Sequence, residues 1–419
     1  MRRAELIKGE GVVLFVMPRS SRAWSSAGGL WIAVAGWADA AKRQFGESWI
    51  ITPDRIASPE EALAYANPSS GQDGMKQEGK LRTIIPKSIK TAVKDAREFI
   101  RRTNFNSALG SVGRWDDEPV VFVWQQHDLF PGPGHTLARR LGVPFVSFVH
   151  APQVWEGERW GVKRPVWGRI IESRFESPDL RRADMVACVS EEVGREVRRL
   201  GVQESRIVIT PTGVDASRFS PSTSGLAVRT KYDLRDSFVF GWTGSFRKFH
   251  GLEIALHAFS ELHVKHADAR LLLVGDGLEK ARIQQLASSL GIDEAVIFTG
   301  AVSHLDVPHY IAAMDATLVT ARDNETFHYS PQKLREYMLC AKPVIVPSAG
   351  EMDRFLKDRI DSYHYTPGSA SQLREIMDLV ISDREQARMI GTKGYESVYQ
   401  TGTWHAQLLH LVDKLNSIE

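Results

Sequence analysis

Apolar residues in this chain gather in short unbroken runs instead of alternating with polar ones. Runs rich in valine, isoleucine and phenylalanine occupy 12–17, 48–52, 120–125, 145–149, 185–190 and 207–210, and then 238–243, 271–275, 296–299, 317–320 and 343–346. Between many of them apolar positions recur every three or four residues, as in 252–263 (Leu252, Ala255, Leu256, Phe259, Leu262) and 278–290. A strand apolar on both faces must be covered on both, and intervening helices supply the cover, so the pattern predicts parallel α/β sheets. After Thr210 the periodicity lapses into a turn-rich stretch that ends in Ser-Pro-Ser-Thr-Ser-Gly at 220–225 and reads as a linker. The expectation is α/β with two tandem doubly wound, Rossmann-like domains facing across a cleft, at 1–215 and 216–400, followed by a terminal segment 401–419. Such sheets bind ligands beyond the carboxyl ends of their strands, so two domains imply two ligands and a group-transfer enzyme. A tandem binding protein closing on one small ligand is the alternative with the same fold.

Composition narrows the class. The 419 residues are 43% hydrophobic and 25% charged, the balance of a folded soluble protein and not of a disordered or fibrous one. Lys and Arg total 53 against 51 Asp and Glu, so bulk charge implies no nucleic-acid partner, and an acidic partner must be met by a local patch. Cys188 and Cys340 lack any spacing that would hold zinc, which fits a reducing compartment. No apolar run approaches the ~18 residues that span a bilayer, and the first is too short for a signal-peptide core. The expected location is the cytoplasm.

The candidate chemistry lies at strand ends and helix starts. In His328-Tyr-Ser-Pro-Gln-Lys-Leu-Arg-Glu-Tyr-Met338, Ser330 suits an N-cap and Pro331 the first helical position, so a helix end attractive to phosphate is expected there. Lys333 adds a full charge, and Glu336, on the same face, can accept hydrogen bonds from ribose hydroxyls; the alternative is an ordinary surface pair. Directly after the run at 238–243, Gly244-Ser-Phe-Arg-Lys-Phe-His-Gly251 places glycines where backbone can approach a ligand, with Arg247 and Lys248 charged enough for a diphosphate. It has neither P-loop spacing nor the dinucleotide fingerprint, and as an alternative it is a solvated basic turn. In the first half Gly28 and Gly29 repeat the strand–glycine–helix arrangement, and His150 follows its strand into the expected cleft; His127 and Asp128 carry the same ambiguity with less support. No Asp-x-Asp triplet occurs, so cationic side chains and a helix end are expected to take the place of a magnesium clamp.

These blocks carry a family resemblance. Gly213-Val-Asp with Phe219 and Pro221, Gly-Ser-Phe-Arg-x-x-His-Gly, Leu-Leu-Leu-Val-Gly-Asp-Gly, Phe-Thr-Gly-Ala-Val, Ser-Pro-x-Lys-Leu-x-Glu-Tyr-Met, Lys342-Pro343-Val344 and Thr403-Trp404 occur in order across the second half. The chain resembles a glycosyltransferase of the GT-B fold, most similar to family four; in the first half the likeness rests on Gly28, Gly29, His150 and Val189-Ser190-Glu191. The resemblance implies a hexosyltransferase-type enzyme that retains anomeric configuration, needs no metal or other cofactor, binds a nucleotide-sugar donor in the second half and binds the acceptor in the first. It implies that Glu336 holds ribose, that the start at Ser330 to Leu334 with Lys333 and Arg247 holds the diphosphate, and that backbone near Val302 reads the base. Gly28 and Gly29 would approach the phosphates with Gly244, and His150 would sit beside the transferred sugar. Trp404 would begin a terminal helix that packs back toward the first domain. The family commonly has a glutamate where His328 stands, Glu325 being the nearest carboxylate, an arginine at Ser245 and a lysine at His250, so Arg247 and Lys248 are expected to substitute.

Two segments concern the acceptor. In 86–102, Ile89, Val93, Ala96 and Ile100 form one stripe, with Lys87, Lys90, Lys94, Arg97 and Arg101 beside it; the second, from Trp155 to Arg174, mixes tryptophan with arginine and lysine. Either suits an anionic membrane surface or acceptor, the alternative being a helix packed on its own domain with a solvated basic face. The expected acceptor is a hydroxyl of a glycan, lipid-linked saccharide or small molecule. A GT-B-like sugar-nucleotide epimerase and a non-catalytic nucleotide-sugar-binding partner are the competing readings.

Overall fold

The computed structural model describes residues 10–25, 29–65, 86–110, 113–322 and 329–417. It has two compact units, Met1–Pro211 with Trp404–Glu419, and Thr212–Thr403. The first holds a seven-stranded sheet in the order β3-β2-β1-β4-β5-β6-β7. Its strands are β1 (Gly11–Val16), β2 (Gly46–Ile51), β3 (Ile56–Ala57), β4 (Val120–Gln126), β5 (Phe145–Val149), β6 (Met185–Cys188) and β7 (Ile207–Ile209). Only the β2–β3 pair is antiparallel. The second unit holds six strands in the order β10-β9-β8-β11-β12-β13, all paired in parallel. They are β8 (Val239–Thr243), β9 (Arg270–Val274), β10 (Val296–Gly300), β11 (Ala316–Leu318), β12 (Val344–Pro347) and β13 (Tyr363–Tyr365). In each sheet the winding reverses next to the unit's first strand, between β1 and β4 and between β8 and β11. Ligands of doubly wound sheets bind outside the carboxyl ends at these switch points.

The eleven apolar runs each overlap a strand, and β1 and β4 are buried along their whole length, as strands covered by helices on both faces must be. The chain adds β3 and β13, whose two and three residues are too few to make a run. The stretch 211–225, expected to link the two domains, is packed against the second unit from Thr212 onward. Thr212 and Val214 are already bound into the second unit, through Ser330 and the Gly402 carbonyl, and Gly225 lies so close to the Ala312–Ala313 backbone that a Cβ would not fit. The terminal helix Trp404–Asn416 belongs to the first unit. Trp404 lies on the helix Gly29–Phe45 directly over Gly36, where a side chain would strike the indole, and its ring centroid is 5.8 Å from that of Trp37.

Candidate functional site

The second unit concentrates chemistry at its switch point. The helix Gln332–Leu339 runs against the end of β8, where the Tyr337 hydroxyl accepts a hydrogen bond from the Thr243 amide at 2.6 Å. One turn earlier in the helix Lys333 lays its ammonium over the Trp242 indole, 3.7 Å from the ring centroid. It is 9% exposed and has no carboxylate within ion-pair distance among the described residues. Burial pushes its pKa down to about 7, against a smaller upward pull from Glu336. A desolvated cation over an aromatic face, with no carboxylate paired to it among the described residues, has the charge and setting that suit an anion.

Glycines make the space around it. Gly244, at φ +146°, leaves room where a Cβ would stand 2.9 Å from Lys333 Nζ. Its amide donates to the Val274 carbonyl and the Phe246 amide to that of Asp276, each at 2.9 Å, which presses the loop after β8 against Gly275 and Gly277 of the loop after β9. Ser245, Arg247 and Lys248 are exposed on this loop. Phe246 and His250 are the buried side chains of this loop, His250 lying edge-on to Trp242 and held well below its usual pKa by burial and by the charges of Lys333 and Arg247. The expected substitution of Arg247 and Lys248 for the missing cations is therefore one of position along the chain and not of burial.

Glu336 is 5% exposed, and its Oε1 accepts from His304 Nε2 and Gln332 Nε2, each at 3.0 Å. Arg218 can only donate, and it does so to His304 Nδ1 at 3.1 Å, so Nδ1 is the acceptor and Nε2 carries the proton that reaches Glu336. Oε2 of Glu336 has no partner among the described residues and is open to a hydroxyl. Val302, half-buried, lies in the same stretch as His304, and Leu334 is part of the core. Ser330 corrects the capping expectation. Its hydroxyl donates to Glu351 at 2.9 Å and accepts from the Thr212 amide and from Arg335, so it is committed to the unit's own framework. The N-cap is Pro331, with no side-chain cap bond, which leaves the first backbone N–H groups of the helix without a side-chain partner. Glu325 and His328 lie outside the described residues.

In the first unit Gly29 begins its helix, exposed, and Gly28 lies outside the described residues. His150 follows β5 with its ring edge-on to Phe148 at 5.0 Å; its Nε2 is buried with no partner among the described residues, and burial pushes its pKa down to about 4. It is therefore a neutral imidazole at physiological pH. At the β1/β4 switch point Asp128 is clamped by Arg19, at 2.6 Å, and Arg102, at 2.9 Å; although burial alone would raise it, the two guanidiniums hold its carboxyl well below the usual range. His127 pairs with buried Glu176 at 2.9 Å, and Asp179, buried nearby, is pushed up to about 6. Sequence reasoning missed Trp242, which reads as one more apolar residue of a strand, His304 in the turn after β10, Arg335 beside Lys333 in the helix, and Glu351 in the helix Gly350–Phe355.

Two family models match. Residues 229–397 match Glycosyl transferases group 1 and residues 27–218 match Glycosyltransferase Family 4. The chain is 26% identical over 267 residues to the N-acetyl-alpha-D-glucosaminyl L-malate synthase of Bacillus anthracis, covering 62% of this chain and 68% of that one. It is 24% identical over 273 residues to a GDP-mannose-dependent alpha-(1-6)-phosphatidylinositol dimannoside mannosyltransferase of Mycobacterium tuberculosis, covering 64% and 62%. The alignments thus span about two thirds of these relatives' length. Among solved structures, Anabaena HepE in complex with UDP and glucose superposes with a TM-score of 0.68 at 17% identity over 98% of this chain and all of that one. Sucrose-phosphate synthase of Thermosynechococcus elongatus gives 0.67 at 17% identity over 96% and 98%. With both halves matched in order and a two-domain Rossmann-like architecture shared with these structures, the chain belongs to the GT-B group 1 glycosyltransferases.

Proposed function

We propose that the chain transfers a sugar from a nucleotide-diphosphate sugar, bound at the β8/β11 switch point of the second unit, to a hydroxyl of a glycan or lipid-linked acceptor, with retention and without a metal. The observation that carries this reading is Lys333: a buried ammonium with no counter-ion among the described residues, beside a glycine loop and a helix start without a side-chain cap, offers the charge that a leaving diphosphate requires. Glu336 and His304 would hold the ribose, the half-buried backbone at Val302 the base, and exposed Arg247 and Lys248 the outer phosphate oxygens. Relatives described as GDP-mannose-dependent, and a similar fold solved with UDP and glucose, support a nucleotide-sugar donor. Among the described residues no helix is long and apolar enough to cross a membrane; we place the protein in the cytoplasm, working peripherally at an anionic membrane surface. The test is nucleotide release from a panel of nucleotide sugars with and without acceptors. Acceptor-dependent release unaffected by chelator is expected; loss with chelator and recovery with magnesium would defeat the metal-independent reading. Release without any acceptor would favour an epimerase, and binding without release a non-catalytic partner.

His150 is assigned to the transfer step. A neutral ring whose buried Nε2 has no partner among the described residues can donate or accept one hydrogen bond to a sugar hydroxyl without first losing a proton. His150→Ala should lower kcat by about 10²-fold while donor affinity stays near the parent's; a folded variant with a near-normal rate would return His150 to a packing role.

A further inference from the structure

The helix Lys87–Gly110 turns its apolar side outward. Ile89, Val93 and Ile100, one stripe at helical spacing, are 52%, 46% and 60% exposed, whereas Asp95 and Arg102, on the opposite side, are 5% and 2% exposed. A helix that merely covered its domain would bury the stripe and leave the charges in water. The inverted arrangement is fixed from below: Asp95 accepts from Arg164 at 2.8 Å and from the Trp167 indole at 3.1 Å. These contacts tie the helix to the segment 160–170, which exposes Trp160, Ile170 and Val166. Val166 is 82% exposed at the tip of a γ-turn, φ +66°, closed by the Trp167 amide on the Pro165 carbonyl at 2.8 Å. A β-branched residue held in that rare turn is strained, and here the strain presents a valine to solvent beside the stripe.

The charges next to it are unusual in a second way. Lys87, Lys90, Lys94, Arg97 and Arg101, together with Lys163 and Arg169 of the neighbouring segment, have no ion-pair partner among the described residues. Elsewhere on the same unit exposed arginines are paired, Arg198 with Glu204 and Arg199 with Glu172 and Glu196. We propose that this face docks on an anionic lipid bilayer, with the apolar stripe, Val166 and Trp160 entering the headgroup region and the flanking cations meeting lipid phosphates. It rests on the peripheral-membrane element of the proposed function and gives it an address. A second copy of the chain is the poorer occupant: a two-fold pairing would set the same unpaired cations against each other.

The test is co-sedimentation of the full chain with phosphatidylcholine vesicles with and without phosphatidylglycerol. Binding should require the anionic lipid and weaken with salt. Neutralising Lys94, Arg97 and Arg101 together to glutamine should weaken it about 10²-fold. Ile100→Glu and Val166→Glu, both at exposed positions and so expected to fold, should abolish it while nucleotide release with a water-soluble acceptor stays at the parent rate. Equal binding to neutral and anionic vesicles, binding to neither, or parent-like sedimentation of Ile100→Glu would overturn the proposal. So would self-association in solution that Ile100→Glu abolishes, since it would give the face to a second copy. Vesicle binding without any nucleotide release in the panel would instead sink the transferase reading and leave this one standing.

Discussion

Replacing Lys333 with methionine is expected to lower kcat/KM by about 10²–10³-fold, the cost of removing one fixed charge aimed where negative charge develops. Methionine keeps most of the volume over Trp242, so the loss reports on charge and not on a cavity. The exposed Arg247 should matter less, because water screens it already; Arg247→Ala should cost less than a tenth of the Lys333 effect. The pH dependence has a definite sign. With the free-protein pKa pushed down to about 7, part of the population lacks the charge above neutrality. Diphosphate stabilises the ammonium form and raises that pKa, so binding of a nucleoside diphosphate between about pH 7 and 9 should take up a proton and weaken as pH rises. Without ligand the unfolded chain binds more protons at this lysine than the folded one between about 7 and its ordinary value. Stability from this group therefore rises with pH across that window and is level below about pH 7. Calorimetry of nucleoside-diphosphate binding in buffers of different ionisation enthalpy checks the first claim, and denaturant unfolding of the ligand-free protein from about pH 7 to 10 checks the second. A parent protein that takes up no proton, or a Lys333→Met variant that still does, would show that the diphosphate is met elsewhere.

Most of the fold was legible because apolar runs without alternation have one economical meaning. What the runs could not show was tertiary competition for individual polar atoms. Ser330 has the residue type and spacing of an N-cap, yet Thr212, Arg335 and Glu351 converge on its hydroxyl, and the partners lie between 5 and 118 positions away. Lys333 could be placed at a helix start from its neighbours; that it would be buried over Trp242 could not, because the tryptophan reads as one more apolar residue of a strand. Arg247 and Lys248 read as site cations from their charge and their place in a glycine-flanked turn after a strand, whereas their loop leaves both exposed and buries His250. The stripe at Ile89, Val93 and Ile100 was visible as a stripe, but its outward orientation depends on Asp95 finding Arg164 and Trp167.

The same logic singles out Asp128 as a residue whose loss the first unit would tolerate poorly. It accepts from Arg19, Arg102 and the Leu129 amide, while Arg102, 2% exposed, also reaches Glu98 and the Phe130 carbonyl. Deleting the carboxylate leaves a buried guanidinium only partly compensated, so Asp128→Ala should destabilise the unit by about 3–5 kcal/mol. Because the charge left behind is the damage, Arg102→Met added to Asp128→Ala should recover part of the loss, a coupling that two independent substitutions would not show. The sign with pH follows from a carboxyl held below its ordinary range. Its contribution is complete above the unfolded value of about 3.9 and is lost as pH falls toward the folded one. Urea unfolding followed across pH 2 to 7 measures both: the parent should lose stability steeply below about pH 4, and Asp128→Asn should lose less there because that proton is no longer at issue. The clamp closes the carboxyl ends of β1 and β4, where the proposed acceptor site of the unit would form, so Asp128→Ala should also raise the acceptor KM under conditions where it remains folded. An unfolding midpoint unchanged by Asp128→Ala would mean that Arg102 is adequately held by Glu98 and the Phe130 carbonyl alone, and that the buried pair at this switch point contributes nothing measurable.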